Sequence, residues 1–169
     1  MAVIDVFLMP GEHFVGDARH RIRTLLGSCV SITLWHPWRR VGAMSHFLLT
    51  VGDNDEPVAH LSGRYCEGAL ELMLKDLRKL GINPEECQAK VFGGGMMFPD
   101  IERNDARNIG RRNGETAERL LRMHNIPVVS ESLFGIGHRH IIFNIKTGDV
   151  WVRVGPPGLR QGRMLKERL

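Results

Sequence analysis

Apolar and polar residues alternate along two neighbouring stretches in the first third of the chain. The first stretch runs from Cys29 to Trp35 and the second from Val41 to Leu49, with the turn His36–Arg40 between them. Alternation of this kind is typical of β-strands, and two such runs joined by a short turn predict an antiparallel pair. The start of the first strand would then lie beside the end of the second.

Similar patterns predict the remaining elements. Arg64–Leu80 carries apolar residues at helical spacing and predicts the first helix. Asn113 is a residue type favoured at helix N-caps, which predicts a second helix over Gly114–Asn125. The other predicted strands are Val3–Met9, Ile22–Leu26, Ala89–Phe92, Val128–Leu133, and a final hairpin of Ile141–Ile145 with Val150–Val154.

The connecting segments are polar or rich in turn-forming residues. Irregular structure is predicted for Gly11–His20, Thr50–Gly63, Pro99–Gly110 and Phe134–His140. The order of strands, helix, strand, helix and strands favours an α/β fold, with mixed or antiparallel sheets and two main helices packed on them. One domain is expected over residues 1–158, followed by a basic tail over 159–169 that is either disordered or a short helix.

The composition is that of an ordinary soluble globular protein. Hydrophobic residues make up 43% and charged residues 25% of 169 residues, which is enough for a full core in one domain. The net charge of +4 permits contact with acidic surfaces, but it gives no reason to expect a nucleic-acid partner.

Cysteine usage and the N-terminal stretch bear on the cellular compartment. Cys29, Cys66 and Cys87 form neither a disulfide framework nor a Cys-x-x-Cys pair, which fits a reducing cytoplasm. The stretch Met1–Pro10 has no basic segment and is too short for a signal peptide or a membrane span. A cytoplasmic protein is therefore expected.

Cys29 and His46 would meet where the predicted strands Cys29–Trp35 and Val41–Leu49 pair. A thiol beside an imidazole is the minimum group for nucleophilic catalysis at an acyl carbon, because the imidazole takes the thiol proton and then stabilises the thiolate. Gly27 lets the backbone turn tightly, and the backbone N–H groups around Ser28 and Cys29 would face a developing oxyanion. The alternative is structural: a small buried cysteine that starts a strand, and a histidine that is hydrogen-bonded in the core.

Three other features have candidate functions. Gly93–Gly95 lacks a following Gly-Lys-Ser/Thr and is not a phosphate-binding loop. It is either a tight turn or a site of close backbone approach to a substrate, with Met96–Phe98 as an apolar lip. His138 and His140 alternate onto one strand face, but no third metal ligand is identifiable, so no metal is expected. The acidic segment 52–57 lacks the spacing of a calcium loop and is interpreted as solvated.

Short segments spread over nearly the whole chain form a specific combination, in which a Gly-Ser-Cys turn is followed by a strand ending in histidine and by a Phe-Gly-Gly block. They are Leu26–Val30, Gly42–His46, Ala89–Phe98, Ile109–Asn113 and Phe143–Val150. In these segments the chain resembles the chemoreceptor glutamine deamidases of the CheD family. The resemblance implies that Cys29 is the nucleophile and His46 the base. The positions at which it implies substrate contact are Phe92, Gly93, Gly94 and Met97.

The chain departs from the family pattern just before the cysteine. The family places a threonine, which orients the histidine, six residues before the nucleophile. Here Arg23 holds that position and Thr24 follows it. A one-residue shift in a strand turns a side chain to the opposite face, so Thr24 can complete the catalytic group only if the turn before Cys29 is one residue shorter. The alternative is that a backbone carbonyl orients His46.

The resemblance also implies a fold and a function. The expected fold is a layered α/β sandwich similar to that of toxins that deamidate glutamine. The expected reaction hydrolyses glutamine side chains of methyl-accepting chemoreceptors to glutamate through a cysteine thioester, without metal or organic cofactor, by a protein peripheral to membrane receptors. A CheC-type phosphatase is a further possible partner. The alternatives are a non-catalytic binding module for receptors or phosphatase, and a cysteine transamidase or protease-like hydrolase.

Overall fold

Two five-stranded sheets and two helices form the fold. The computed structural model describes residues 2–51, 62–99, 108–157 and 165–169. Both helices contact strands of one sheet, and the second sheet packs on the other face of that sheet. The strands are β1 (Ile4–Phe7), β2 (His13–Gly16), β3 (His20–Leu26), β4 (Val30–His36), β5 (Val41–Ser45), β6 (Gln88–Gly93), β7 (Val128–Leu133), β8 (His138–Asn144), β9 (Val150–Gly155) and β10 (Leu165–Arg168); the helices are α1 (Cys66–Lys79) and α2 (Ile109–Met123).

The first sheet has the strand order β1-β3-β8-β9-β10 and the second has the order β2-β5-β4-β6-β7. Each sheet is mixed, because β1 pairs with β3 in parallel and β6 pairs with β7 in parallel, whereas the other pairs are antiparallel. The predicted α/β class with mixed sheets and two main helices is confirmed. So is the predicted β4–β5 pair.

Strand alternation divides the apolar residues between two cores. Val30 and Ile32 of β4 point towards the helices and join a core with Met73 of α1. Cys29 and Trp35 point the other way, into a second core between the two sheets. Neighbouring residues of a strand face opposite sides of the sheet. Alternation along β3, β4 and β5 therefore decides which of the two cores each side chain enters.

The second helix begins earlier than predicted. Its N-cap is Asn108, whose side chain accepts a hydrogen bond from the Arg111 backbone N–H at 3.0 Å. The prediction that Asn113 caps this helix is wrong, because Asn113 lies inside α2 and is fully buried. Asparagine is favourable at a cap for its side-chain hydrogen bonds, and here those bonds are made to other parts of the chain.

Two segments predicted to be irregular contain strands. Residues 13–16 form β2, which pairs with β5 at the edge of the second sheet. Residues 165–168 of the tail form β10, which pairs with β9. The start of β8 likewise extends back to His138, inside the predicted turn Phe134–His140. In each case a neighbouring strand supplies the backbone hydrogen bonds, which local propensity does not reveal.

Some predicted elements fall partly beyond the described residues. This applies to most of the predicted loops Thr50–Gly63 and Pro99–Gly110, to the acidic segment 52–57, and to the first part of the tail. Among the helices that the structure describes, none has the length and hydrophobicity needed to span a membrane.

Candidate active site

Cys29 and His46 lie on the same face of the second sheet. The β4–β5 register pairs Thr33 with Met44 and continues to a bridge between Val30 and Phe47. That register places Cys29 diagonally across from His46, at a separation of about 7 Å or less between Cβ atoms. Both side chains face the space between the two sheets, where Cys29 is half-buried and His46 is 3% exposed. An imidazole can span such a separation.

Thr24 meets His46 from the opposite sheet. The inward-facing residues of β3 are Ile22, Thr24 and Leu26, whereas Arg23 faces outward and is exposed. The Thr24 Oγ1 atom lies 2.7 Å from His46 Nδ1 and 2.8 Å from the backbone oxygen of Leu8. The structure thus brings Thr24 to the imidazole, and a backbone carbonyl takes part in the same hydrogen-bond chain.

These two hydrogen bonds determine the tautomer of His46. A carbonyl oxygen can only accept, so the Thr24 hydroxyl donates its single proton to Leu8 and must accept a proton from His46 Nδ1. The proton of the neutral imidazole is therefore on Nδ1, and Nε2 carries a lone pair. Nε2 is buried and has no hydrogen-bond partner among the described residues. The ring is consequently oriented with its basic nitrogen free.

Burial favours the neutral forms of Cys29 and His46. It raises the pKa of the Cys29 thiol, an effect that the Cys29 backbone N–H partly offsets. Burial also lowers the pKa of His46 below 6.5, and the Leu8 carbonyl and the charge of Glu12 oppose that shift only in part. The resting pair is therefore a thiol and a neutral imidazole, which suits proton transfer from sulfur to Nε2 during attack.

Hydrogen bonds hold the backbone of the turn between β3 and β4. The carbonyl of Gly27 accepts from the Gly95 N–H at 3.0 Å, and that of Cys29 accepts from the Gly94 N–H at 2.9 Å. The carbonyl of Ser28 accepts from the side-chain amide of Asn113 at 3.1 Å. Three successive carbonyls are thus fixed, so the positions of Gly27 and Ser28, proposed from the sequence to face an oxyanion, are set by distant parts of the chain.

The glycine run Gly93–Gly95 lies close to the backbone of the turn between β3 and β4. Gly93 has a φ of +110°, and a Cβ built on it would lie 2.2 Å from the carbonyl oxygen of Cys29. A larger residue therefore cannot occupy position 93 without displacing that carbonyl. Of the two functions considered for Gly93–Gly95, the contact described here is with the protein's own turn.

The predicted substrate contacts occupy different depths. Phe92 is fully buried in the core between the sheets and does not reach the surface. Met97 is half-buried and covers Gly27, since a Cβ at that glycine would lie 3.3 Å from the Met97 sulfur. Phe98 next to it is 64% exposed. Met97 therefore gives an apolar surface next to Gly27 and is followed by the exposed Phe98, whereas Phe92 belongs to the core that Cys29 packs against.

A buried arginine that the sequence analysis did not identify, Arg139, hydrogen-bonds the glycine run and the end of β7. Arg139 of β8 donates to the Ser132 hydroxyl at 3.1 Å, to the Gly93 carbonyl at 3.3 Å, and to the Phe134 carbonyl. Burial lowers the pKa of its guanidinium. Arg139 thus connects the start of the glycine run to β7. No local sequence pattern distinguishes it from the exposed arginines of the chain.

The other candidate groups stay apart from Cys29. Burial raises the pKa of Cys66 well above its usual value and that of Cys87 to about 11, which is the behaviour of structural thiols. The rings of His138 and His140 are 6.0 Å apart, and His138 hydrogen-bonds the Pro156 carbonyl. No cluster of three or more potential metal ligands occurs within the described ranges.

A family model described as CheD chemotactic sensory transduction matches residues 49–154. This segment begins just after His46, so Cys29, His46 and Thr24 precede it. The pairwise comparisons with relatives cover the preceding part of the chain as well.

Several relatives match over most of their length. A protein of Albidiferax ferrireducens named probable chemoreceptor glutamine deamidase CheD 2 is 59% identical over 94% of this chain and 92% of its own. Proteins named probable chemoreceptor glutamine deamidase CheD from Pseudomonas savastanoi pv. phaseolicola and CheD 3 from Dechloromonas aromatica are 42% and 44% identical, over 92% and 88% of this chain and 88% and 86% of theirs. The crystal structure of the Bacillus licheniformis hypothetical protein YfiH is a weak match, with a TM-score of 0.44 and 14% identity over 71% of this chain and 49% of that one.

Proposed function

Because the chain belongs to the CheD family, we propose that it is a chemoreceptor glutamine deamidase that uses Cys29 as its nucleophile. One observation supports this most strongly. The imidazole of His46 is anchored at Nδ1 by Thr24, and its free Nε2 lies on the sheet face that carries Cys29. The large majority of buried side-chain polar atoms are hydrogen-bonded, so the unpaired Nε2 of His46 favours a functional role over a structural one.

The reaction starts with transfer of the Cys29 proton to His46 Nε2. The thiolate attacks the carboxamide carbon of a glutamine, and the C=O bond becomes an oxyanion in a tetrahedral intermediate. Ammonia leaves with the proton from His46, and a thioester remains. Water then gives a proton to His46 and attacks the thioester, which releases glutamate and restores the thiol. Thr24 keeps the imidazole in the tautomer that both proton transfers require.

The oxyanion forms next to the backbone between Gly27 and Cys29. Backbone N–H groups there are suited to stabilise it, since they are held in place before the reaction and need no rearrangement. The Cys29 N–H already favours the thiolate form of its own side chain. We infer that the same N–H also donates to the oxyanion, which forms beside the sulfur.

The substrate glutamine enters beside Met97 and Phe98. This apolar surface adjoins Gly27 and suits the aliphatic part of a glutamine side chain presented by a partner protein. Gly93 and Gly94 shape the turn from behind, and Phe92 packs beneath it. Deamidation replaces a neutral amide by a carboxylate, which changes helix packing in the receptor and creates an acceptor for methylation.

The cellular setting follows from the proposed substrate. The cytoplasmic part of a methyl-accepting receptor is reached from the cytoplasm, so the protein acts there and is peripheral to the membrane. A CheC-type phosphatase is the second proposed partner, which would link deamidation to the phosphorylated response regulator.

Incubation with a purified cytoplasmic receptor fragment tests the proposal. Peptide mass spectrometry should show glutamine converted to glutamate, and Cys29→Ala should abolish the conversion. Cys87→Ala is the matched control and should retain activity, because Cys87 is a buried structural thiol. Binding of the fragment without a mass change would instead identify a binding module. Cross-linking to amines or backbone cleavage would identify a transamidase or a protease-like hydrolase.

A further inference from the structure

Asn113 connects the two segments that carry Cys29 and His46. Its side-chain amide donates one hydrogen bond to the Ser28 carbonyl at 3.1 Å and another to the Leu48 carbonyl at 2.8 Å. Ser28 directly precedes Cys29, and Leu48 lies two residues after His46. Asn113 is fully buried, so both bonds are made away from solvent, where an unpaired carbonyl is costly.

Two glycines of α2 allow this short side chain to reach the turn. A Cβ at Gly110 would lie 2.6 Å from the Gly94 carbonyl oxygen, and a Cβ at Gly114 would lie 2.5 Å from the ring of Phe134. Gly110 therefore lets the helix pack directly on the glycine run, and Gly114 lets it pack on the Phe134 ring. The close approach brings Asn113 within hydrogen-bond distance of Ser28.

The bond to Ser28 fixes the direction of the following N–H group. In a trans peptide the C=O of one residue and the N–H of the next point in opposite directions, and the structure has no cis peptide bond among the described residues. Because the Ser28 carbonyl points towards α2, the Cys29 N–H points away from the helix. That is the side of the sheet on which the Cys29 side chain packs between the sheets. The effect of this N–H on the Cys29 thiol agrees with that direction.

We propose that Asn113 is a positioning residue, which holds the Ser28–Cys29 peptide so that the Cys29 N–H faces the sulfur and the oxyanion formed beside it. The claim that the Cys29 N–H faces the oxyanion rests on the proposed deamidase function. The claim that it faces the sulfur does not, since it follows from the direction of the Ser28–Cys29 peptide plane.

The hydrogen bonds of Asn113 favour this role over simple packing. Its amide oxygen is buried without a partner, whereas both amide protons are used. Within the described ranges, the other buried side-chain polar atoms without partners are Ser31 Oγ and His46 Nε2. The register of β4 and β5 places Ser31 opposite His46. Ser31 and His46 thus face each other close to Cys29, and Asn113 bonds the residue before it. A buried polar atom without a partner calls for an explanation, and a functional role is one of those explanations.

The test compares Asn113→Ala with Asn108→Ala. Asn113 lies inside α2 and Asn108 is its N-cap, and within the described ranges the Asn108 side chain bonds only the Arg111 backbone N–H. Alkylation of Cys29 by iodoacetamide is followed against pH by peptide mass spectrometry. Asn113→Ala should raise the pH midpoint of alkylation and leave the plateau rate at high pH unchanged. Asn108→Ala should leave both values at those of the wild type.

Deamidation of the receptor fragment provides the second measurement. Loss of one aligned oxyanion donor costs about 10²-fold in rate, so Asn113→Ala should lose activity on that order while Asn108→Ala retains it. Equal midpoints and equal deamidation rates for the two variants would overturn the inference. If the alkylation midpoints of the two variants differ as expected but the wild-type protein deamidates no receptor fragment, the role of Asn113 is supported and the proposed deamidase function is refuted.

A measurement on the wild-type protein covers the case in which Asn113→Ala does not fold. In an ¹⁵N-labelled sample the Cys29 amide resonance should shift with pH at the midpoint found for Cys29 alkylation. The Asn113 side-chain amide protons should also exchange slowly with solvent. A Cys29 amide that does not respond to ionisation of the thiol would contradict the proposed direction of the peptide.

Discussion

Thr24 and His46 lie on different sheets, 22 positions apart in the chain, and share a hydrogen bond of 2.7 Å between Oγ1 and Nδ1. The bond crosses the core between the sheets at a point where both residues are almost fully buried. The orientation of the imidazole therefore depends on how the two sheets pack, and not only on the strand that carries His46.

Replacing Thr24 by valine should impair both catalysis and stability. Thr24→Val keeps the shape of the side chain but removes the acceptor for His46 Nδ1 and the donor to Leu8. A misoriented base costs about 10²-fold in rate, and the unpaired carbonyl costs about 1–3 kcal/mol in the free energy of unfolding. Receptor deamidation and urea unfolding measure the two effects. The matched control is Thr33→Val, another buried threonine, whose only described side-chain bond is a long one of 3.5 Å to Lys90.

The pH dependence of kcat/KM should reflect the lowered pKa of His46. Burial makes the imidazolium unfavourable, so the base stays neutral to a pH below 6.5 and the acid limb of the profile should have its midpoint below that value. Glu12→Gln removes a charge that stabilises the imidazolium and should move the midpoint lower still. An acid limb with its midpoint at or above pH 6.5 would show that the pKa of His46 is not lowered.

Alanine at position 93 should be far more costly than alanine at a comparable glycine elsewhere. Gly93→Ala combines a positive φ with a Cβ placed 2.2 Å from the Cys29 carbonyl oxygen, and we expect a loss of about 3 kcal/mol. Gly81 also has a positive φ but has no atom within 4 Å of a built Cβ, so Gly81→Ala should cost only about 1–2 kcal/mol. Urea unfolding measures both. Equal losses would mean that the turn at Cys29 yields easily.

Glu118 should make the protein less stable as the pH rises. A hydrogen bond with Glu131 raises the pKa of Glu118 from 4.5 to about 7. The folded protein thus binds this proton more tightly than the unfolded chain, and the stabilisation present at low pH is lost as the pH rises from 4.5 through about 7. Glu118→Gln should flatten the difference in unfolding free energy between pH 5 and pH 8. Glu115→Gln on the same helix removes only a smaller contribution to the raised pKa of Glu118 and should flatten the difference less.

Much of the architecture could be predicted because it follows from local patterns. Alternating apolar residues predict the β4–β5 pair, and apolar residues at helical spacing predict α1. The edge strands β2 and β10 could not be found in this way. Their backbone hydrogen bonds are made to β5 and β9, which are distant in the chain, and an edge strand needs little hydrophobic alternation of its own.

Asn113 shows how a correct residue preference can lead to a wrong position. Asparagine often caps a helix because its side chain bonds backbone groups, and the sequence therefore suggested a helix start there. In the folded protein the same capacity is used on Ser28 and Leu48, while Asn108 caps the helix. The type of interaction was predictable from the side chain, but its partners were not.

The sequence by itself determined the antiparallel pair of strands that Cys29 precedes and His46 follows, and hence that the two residues lie at neighbouring strand ends. Only the tertiary structure decided that Thr24 reaches His46, that Arg139 braces the glycine run, and that Asn113 holds the Ser28 carbonyl. The physical reason is the range of each interaction. Alternation within a strand is a property of adjacent residues, whereas a buried hydrogen bond between sheets or from a helix depends on how whole elements pack.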